Sequence, residues 1–326
     1  MFGTKRRNKK DQSWASSTAE FVFLLMVVFM IRTFGFGLYQ VPTGSMETTM
    51  LVGERFFADK LSYWFRDPRK GEVIAFNAPR FKYSSNPVKK LFEKYVWGPS
   101  NWTKRVIGVP GDHVRGVIEN GKPVVYINDK KLDEGYLNKY PLILTYKQDP
   151  AVLHAEVNRE LRSRGISTTQ DNDIVALYRE QRLHGQTEWR SYDPAVAYED
   201  QPFYRLRSDW LIRDQDGNLQ LRKPQEPNYM HSAGSMNIQG NRAWNGSDEF
   251  DIQLGPDEFW GMGDNRRGSL DCRAWGPIKR EWIHGRILFR IWSIDSRESW
   301  WILDLIKHPI DFWHRTRWSR FFQLIP

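Results

Sequence analysis

The chain has 326 residues, of which 40% are hydrophobic and 27% are charged, and this is the composition of a folded protein. At this length we expect a main domain with an appended or inserted unit. The net charge of +9 does not favour a nucleic-acid-binding protein, because the basic residues are scattered and their one dense cluster directly precedes an apolar segment. The single cysteine, Cys272, cannot form an intramolecular disulfide. Since no second cysteine and no His-Glu-x-x-His motif is present, we expect no metal site.

Residues 19–39 are mostly apolar and follow a basic N-terminus, residues 1–18. About 20 apolar residues cross ~30 Å of hydrocarbon, so this segment is predicted to be a single transmembrane anchor. The basic residues place the N-terminus in the cytoplasm and everything after the anchor on the far side. Two other interpretations stay open. A cleaved signal peptide shares this pattern, although no Ala-x-Ala-like site follows, and a buried core helix would fit the short undisturbed apolar run.

After the anchor the pattern changes to short β-rich runs separated by Gly and Pro. The dipeptide Asn120-Gly121 lies between two of them and predicts a hairpin. We therefore predict a mainly β protein, with an antiparallel β domain in two parts, residues 40–130 and 250–298. The runs that indicate strands are residues 55–61, 72–76, 103–109, 113–118, 124–127, 250–254 and 285–292.

Residues 131–249 are more polar, and helical spacing of apolar residues at 151–164 and 173–183 predicts two helices there. We interpret this region as an inserted α+β cap. The tail, residues 299–326, mixes tryptophan and phenylalanine with arginine. Such a tail suits a membrane interface, but it equally suits an amphipathic helix that closes the β core.

Three segments carry residues suited to chemistry: 41–50, 104–112 and 261–276. A serine hydroxyl needs a neighbouring base, and no histidine lies in these segments. A lysine can replace histidine if burial keeps it neutral. On a strand, Lys104 shares a face with Trp102 and Val106, which would desolvate it. Taken alone, Lys104 fits a solvated strand lysine better, and Ser45 fits an ordinary loop.

The order of these features resembles the bacterial type I signal peptidases (leader peptidases), a Ser–Lys serine protease family. An anchor is followed by Gly-Ser-Met, then by Lys-Arg-Val-Ile-Gly-Val-Pro-Gly-Asp, then by Gly-Asp-Asn-x-x-x-Ser-x-Asp-x-Arg-x-x-Gly. The resemblance implies that Ser45 is the nucleophile and Lys104 the general base. It implies that Ser269 orients the Lys104 amine, and that the Thr43 hydroxyl joins the Ser45 backbone N–H in an oxyanion hole.

The resemblance further implies structural support of the site by four residues of the third segment. Asp271 and Arg273 would form an ion pair that holds the strands in register. Asp264 and Asn265 would be turn residues that support Ser269.

The chain also departs from the family pattern. Thr48 stands where the family has proline, and Cys272 where serine is usual. Residues 131–250 could not be matched to the family. These departures keep an alternative open, a catalytically silent homologue that binds preproteins or scaffolds a secretion complex. A self-cleaving repressor of related fold would need an N-terminal DNA-binding domain in place of the anchor.

The activity implied by the resemblance is that of a membrane-bound serine endopeptidase, a hydrolase that removes signal peptides through an acyl-enzyme. Its partners would be secretory preproteins and the lipid bilayer, with no nucleic acid, and it would be a monomer. It would lie in the bacterial plasma (inner) membrane as a single-pass protein, with the N-terminus cytoplasmic and the catalytic domain periplasmic. No metal or cofactor takes part.

Overall fold

The protein is described from a computed structural model. The structure describes residues 9–79, 81–146, 150–166, 187–193, 195–196, 211–213, 219–221, 237–240, 242–296 and 301–326. The helix predicted at residues 173–183 lies outside them.

The N-terminal helix α1 spans Lys9–Met30 and continues as a π-helical turn, Ile31–Gly35. Within it, residues 16–35 are long and apolar enough to cross a membrane. Only 6% of this span is buried, so it is not a core helix of the described structure. The predicted end of the anchor, residue 39, was too late. Residues 36–39 belong to the first strand, where pairing with the strand at Arg55–Asp59 satisfies their backbone groups.

The first of two large sheets has seven antiparallel strands in the order β1-β2-β17-β3-β4-β15-β16. Its strands are β1 (Phe36–Gln40), β2 (Arg55–Asp59), β3 (Val73–Asn77), β4 (Asn101–Gly108), β15 (Glu258–Met262), β16 (Ile278–Lys279) and β17 (Ile283–Trp292). Both parts of the predicted β domain therefore contribute to one sheet, and the mainly β prediction is confirmed.

The second sheet has six strands in the order β12-β13-β14-β5-β6-β7. They are β5 (His113–Glu119), β6 (Lys122–Ile127), β7 (Lys130–Lys131), β12 (Asn237–Gln239), β13 (Arg242–Trp244) and β14 (Phe250–Gln253). The predicted Asn120-Gly121 hairpin joins β5 to β6, and both residues have positive φ, 51° and 74°. Strands β12 and β13 lie within residues 131–249, so this sheet extends into the predicted insertion.

The main core lies between the two sheets, and β3 shows how the chain builds it. Ile74 and Phe76 point into this core, together with residues of β5, β6 and β14 from the second sheet. Val73 and Ala75 point the other way, into a smaller cluster that contains Met46. Because successive strand residues face opposite sides, β3 is buried on both faces and places one side of the first sheet beneath residues 41–50.

The remaining described elements surround these sheets. Strands β8 (Leu142–Tyr146) and β9 (Thr187–Ser191) form a hairpin-like pair, and β10 (Leu211–Arg213) pairs with β11 (Leu219–Leu221). The helices that follow α1 are α2 (Ser62–Phe65), α3 (Pro87–Tyr95) and α4 (Pro150–Ser163). Helix α4 confirms the helix predicted at residues 151–164.

The tail packs against β17. It contains short helices at Trp301–Lys307 and Pro309–His314, and the side chain of Phe312 is buried. The backbone N–H of Ile325 donates to the carbonyl oxygen of Leu288, and the Ile325 side chain enters the cluster that contains Met46. The tail thus closes one face of the first sheet, as one of the two interpretations expected.

Candidate active site

Ser45 lies in a single turn of 3-10 helix, Gly44–Met46, directly after β1. The backbone N–H of Glu47 closes this turn by donating to the Gly44 carbonyl oxygen at 3.1 Å. The neighbouring Met46 side chain is fully buried in the smaller core cluster and holds the turn against the sheet. Ser45 is itself 8% exposed, so its hydroxyl lies at the protein surface but is largely shielded from water.

Lys104 extends from β4 to this serine. Its Nζ donates to Ser45 Oγ at 3.0 Å and to the Thr103 carbonyl oxygen at 3.0 Å. Lys104 is 4% exposed, and this burial lowers its pKa from 10.5 to about 8, although nearby Asp271 favours the charged form. The two residues are separated by 59 positions in sequence, and the structure brings them into hydrogen-bond contact as predicted.

Asn265 holds the turn that carries Ser45. Its side-chain amide donates to the Gly44 carbonyl oxygen at 2.9 Å, and its backbone N–H donates to the Ser45 carbonyl oxygen at 3.2 Å. Asn265 also accepts the backbone N–H of Gly268 at 3.1 Å, in the turn directly before Ser269. Its expected support of Ser269 stays a prediction, and its side chain holds the segment around Ser45 as well.

Asp264 is fully buried, and its carboxylate binds two side chains from other segments. It accepts hydrogen bonds from Arg105 Nε at 2.9 Å and Nη2 at 2.7 Å, and from the Thr49 hydroxyl at 2.6 Å. Asp264 therefore ties β4 to the segment after Ser45. The support of Ser269 that the resemblance implies for Asp264 stays a prediction.

Ser269 is 1% exposed, and its Oγ has no hydrogen-bond partner in the described part of the chain. The expected hydrogen bond between Ser269 and Lys104 is not formed here, since Lys104 Nζ binds Ser45 and Thr103 instead. Ser269 nevertheless lies beside Ser45. A Cβ atom built on Gly263 would be 2.2 Å from Ser269 Oγ and 2.4 Å from the Ser45 carbonyl oxygen. Only glycine fits at position 263, and its absence of a side chain lets the two serines approach each other.

Asp271 and Arg273 form the expected ion pair, with both Asp271 oxygens 2.8 Å from the guanidinium. Although burial opposes it, Arg273 lowers the pKa of Asp271 from 3.8 to about 2. Asp271 also accepts from the backbone N–H of Gly263 at 3.1 Å, and Arg273 binds Asp248 at 2.5 Å. The pair thus fixes the loop beneath Lys104 to the end of β15.

Two further residues that the sequence analysis singled out are Cys272 and Thr43. Cys272 is fully buried, its Sγ accepts the Gly261 N–H at 3.1 Å, and burial raises the pKa of the thiol. The sulfur therefore serves as a structural acceptor where an oxygen was expected. Thr43 precedes the Ser45 turn in extended conformation and is exposed.

Glu47 connects the segment after Ser45 to β9, a contact that sequence analysis missed. Its fully buried carboxylate accepts the Ser191 N–H at 2.9 Å and the Ser191 hydroxyl at 2.8 Å, and Arg190 lies 3.5 Å away. Asn138 extends this network, because its side chain donates to the Ser191 hydroxyl and its backbone N–H to the Asp264 carbonyl oxygen. Residues of the predicted cap region therefore support the site directly.

Glu54 anchors the far end of the same segment to the tail. It is fully buried, and Arg320 Nε donates to it at 2.6 Å while Arg290 forms an ion pair at 2.9 Å. Burial alone would raise the pKa of Glu54, but Arg320 and Arg290 together lower it. Arg320 also donates to the carbonyl oxygens of Thr48 and Thr49. Arginine side chains thus hold the backbone at Thr48, where the family pattern has proline.

Arg105 forms the third missed contact. Besides Asp264, its Nη1 donates to the carbonyl oxygens of Gly71 at 2.7 Å and Pro326 at 2.6 Å. The tail therefore reaches the strand that carries Lys104. The described residues contain no group of three or more His, Cys, Asp or Glu side chains that could hold a metal ion.

Comparison with known proteins identifies the family. A family model described as "Signal peptidase, peptidase S26" matches residues 14–182 and 211–292. The chain belongs to this family. The match includes most of residues 131–249, a region that the sequence motifs alone could not relate to the family.

Individual proteins similar to this chain carry signal peptidase names as well. A probable signal peptidase I-2 of Synechocystis sp. is 31% identical over 137 residues, which cover 42% of this chain and 56% of that protein. A signal peptidase I of Buchnera aphidicola is 23% identical over 299 residues, or 90% of this chain and 80% of that protein. The match to a solved signal peptidase I of Enterococcus faecalis has 17% identity and a TM-score of 0.26, and covers 68% of this chain and 97% of that one. This last likeness carries no argument.

Proposed function

We propose that this chain is a membrane-bound serine endopeptidase that removes signal peptides from exported preproteins, with Ser45 as nucleophile and Lys104 as general base. The observation that carries the proposal is the 3.0 Å hydrogen bond between Lys104 Nζ and Ser45 Oγ. Family membership supports the same reaction. A lysine whose pKa is lowered to about 8 is neutral often enough near neutral pH to accept a proton, and an ordinary lysine is not.

In the acylation step, neutral Lys104 takes the proton from Ser45 Oγ while the oxygen attacks the carbonyl carbon of the scissile peptide bond. The carbonyl oxygen becomes an oxyanion, and we assign its stabilisation to the Ser45 backbone N–H and the Thr43 hydroxyl. Lys104, now an ammonium, donates its proton to the leaving amine as the C–N bond breaks. The mature protein leaves with a new N-terminus, and the signal peptide stays on Ser45 as an ester.

Deacylation repeats these steps with water. Neutral Lys104 takes a proton from water, the resulting hydroxide attacks the ester, and the Ser45 oxygen leaves and regains the proton from Lys104. We assign Ser269 as the residue that orients the amine between these steps. Its buried hydroxyl has unused hydrogen-bonding capacity beside Ser45, and a change of its side-chain rotamer can supply a partner to the Lys104 ammonium.

The anchor and the edge of the first sheet indicate how substrate is presented. We propose that residues 16–35 cross the plasma membrane, with the preceding basic residues in the cytoplasm. Strand β1 is an edge strand of its sheet and leads directly from this span to Ser45. An extended substrate segment that leaves the bilayer can add to such an edge through main-chain hydrogen bonds, which brings its scissile bond to the serine.

The test is cleavage of a preprotein by the full-length protein in detergent. We expect Ser45→Ala and Lys104→Met to lose activity by several orders of magnitude, because each removes a group that takes part in bond making. Ser163→Ala and Lys122→Met change the same residue types at exposed positions and serve as matched controls. Full processing by either of the first two variants would refute the assignment. Loss of activity in the controls as well would indicate a folding defect.

A further inference from the structure

A cavity of about 530 Å³ lies where the apolar span meets the β domain, away from Ser45 and Lys104. Its walls come from residues 32–34, from β1, and from helices α2 and α3 with the residues after them. The proposed peptidase chemistry makes no use of this cavity. Its position at the end of the apolar span places it beside the lipid headgroups if that span crosses the membrane.

The cavity wall carries an excess of positive charge. Its four cationic side chains face two carboxylates: Arg32, Lys60, Lys94 and Arg280 against Glu93 and Glu281. Asp67 neutralises Arg280 at 2.7 Å, whereas Arg32 and Lys94 have no ion-pair partner among the residues that the structure describes.

Lys60 is held inside this charge cluster. Its Nζ donates to the carbonyl oxygen of Arg32 at 2.8 Å, so two cations stand close together at the end of the span. Burial, followed by the charge of Arg32, lowers the pKa of Lys60. Because burial and the Arg32 charge both disfavour the ammonium form of Lys60, an anion bound here would stabilise that charged form.

His284 adds a hydrogen-bond donor to the same wall. Its Nδ1 lies 3.2 Å from the Tyr39 hydroxyl, and its buried Nε2 has no hydrogen-bond partner in the described structure. Burial, assisted by the charge of Lys60, lowers its pKa to about 3, so the ring is neutral and retains one N–H. A buried polar atom without a partner implies a ligand or water that completes it.

The rim of the cavity is apolar and exposed. In α3, the side chains of Val88, Leu91, Phe92 and Tyr95 lie three or four residues apart and so share one face, and they are 76%, 61%, 52% and 37% exposed. Helix α3 has no buried residue, and its other positions are three lysines with Pro87 and Glu93. An amphipathic helix with a mostly basic polar face and an exposed apolar face has the pattern of a helix that lies in a membrane interface.

Helix α2 continues this apolar surface, since Trp64 is 64% and Phe65 is 87% exposed. Phe34, near the end of the apolar span, fixes both helices there. Its ring centroid lies 5.7 Å from that of Trp64 and 5.7 Å from that of Tyr95. The apolar rim is therefore continuous with the segment that enters the membrane.

We propose that this cavity binds the phosphate of an anionic phospholipid headgroup, with α2 and α3 lying among the headgroups of the same leaflet. The proposal rests on the membrane anchoring of residues 16–35 and is independent of the Ser45–Lys104 chemistry. The cations supply charge complementarity, His284 supplies a directed donor, and the exposed apolar face of α3 covers the acyl region next to the headgroup.

Native mass spectrometry of the full-length protein in detergent tests the proposal, with phosphatidylglycerol and phosphatidylcholine as the two lipid probes. We expect one retained phosphatidylglycerol with at least tenfold preference over phosphatidylcholine. Arg32→Gln combined with Lys94→Gln should weaken this binding by about 30-fold, roughly the effect of removing two cations from a contact with anionic lipid. The matched control, Lys122→Gln with Lys130→Gln, removes the same charge from exposed positions on the second sheet.

Equal retention of the two lipids by the wild type would overturn the proposal, and so would equal weakening by the two double variants. Retention of inorganic phosphate without lipid would assign the cavity to free phosphate and overturn the lipid assignment. Preprotein cleavage in detergent separates this proposal from the peptidase proposal. The Arg32→Gln/Lys94→Gln variant should cleave like the wild type, whereas Ser45→Ala should retain phosphatidylglycerol and not cleave.

Discussion

Replacing Lys104 by methionine should remove a stability penalty together with the activity. Burial lowers the pKa of Lys104 from 10.5 to about 8, so between these values the unfolded chain binds a proton that the folded chain has released. The free energy of unfolding of the wild type therefore decreases as the pH falls from about 10.5 to about 8, and it stays lower below that window. At about 1.4 kcal/mol per pKa unit, the difference amounts to about 3 kcal/mol. Methionine occupies similar space without the charge and avoids this loss.

The assay is thermal unfolding of both full-length proteins in detergent at about pH 7 and about pH 11. For a domain of this size, about 3 kcal/mol corresponds to roughly 5–10 °C in Tm. Relative to the wild type, Lys104→Met should therefore gain roughly 5–10 °C more at the lower pH than at the higher one. Lys122→Met, which replaces an exposed lysine, should show the same difference from wild type at both pH values. A Lys104→Met difference that does not change with pH would refute the burial argument.

Three further predictions follow from the geometry of the site. In a pH–rate profile with a preprotein substrate, log kcat/KM should rise with unit slope to about pH 8 and then level off, because only neutral Lys104 accepts the Ser45 proton. A flat profile between about pH 6 and pH 8 would contradict this role of Lys104. Asn265→Ala removes the amide that holds the Gly44 carbonyl, and preprotein cleavage should show kcat/KM lower by about five- to tenfold. Because the carbonyl loses a buried donor, the free energy of unfolding should also fall by about 1–2 kcal/mol. Unaltered kinetics would count against a positioning role. Ser191→Ala removes one hydrogen-bond donor from the buried Glu47 carboxylate, and thermal unfolding should show that the free energy of unfolding falls by about 1–2 kcal/mol. An unchanged Tm would mean that β9 does not support the segment after Ser45.

Local sequence signals predicted most of the β scaffold. Alternation and β-branched residues located β2, β3, β4, β5 and β6, and Asn120-Gly121 located a hairpin whose two central residues do have positive φ. The same signals failed where a local hydrogen bond, and not strand propensity, determined the backbone conformation. The strand predicted at residues 55–61 ends at Asp59, because the Asp59 carboxylate accepts the Ser62 N–H at 3.1 Å and starts the helical turn α2. β1 was missed because its apolar residues merge with those of the anchor.

The candidate site likewise combines residues that could be predicted from the sequence with residues that could not. Ser45 and Lys104 could be predicted only from the order of the three motif segments, because neither residue stands out within its own segment. The structure places Lys104 Nζ 3.0 Å from Ser45 Oγ. The residues that hold them could not be predicted, because their contacts join segments far apart in sequence. Glu47 meets Ser191, 144 residues later, and Glu54 meets Arg320, 266 residues later. No spacing rule links such pairs, and only the folded sheets bring them together.

The most direct test of the account is to trap the covalent intermediate. The full-length protein is mixed with a preprotein, quenched with acid within milliseconds and digested for peptide mass spectrometry. The account predicts that the peptide containing Ser45 carries the signal peptide as an ester, and that Lys104→Met yields no such adduct. Complete cleavage with the acyl group on another residue, or rapid cleavage by Lys104→Met through an adduct on Ser45, would contradict the assignment of Ser45 and Lys104.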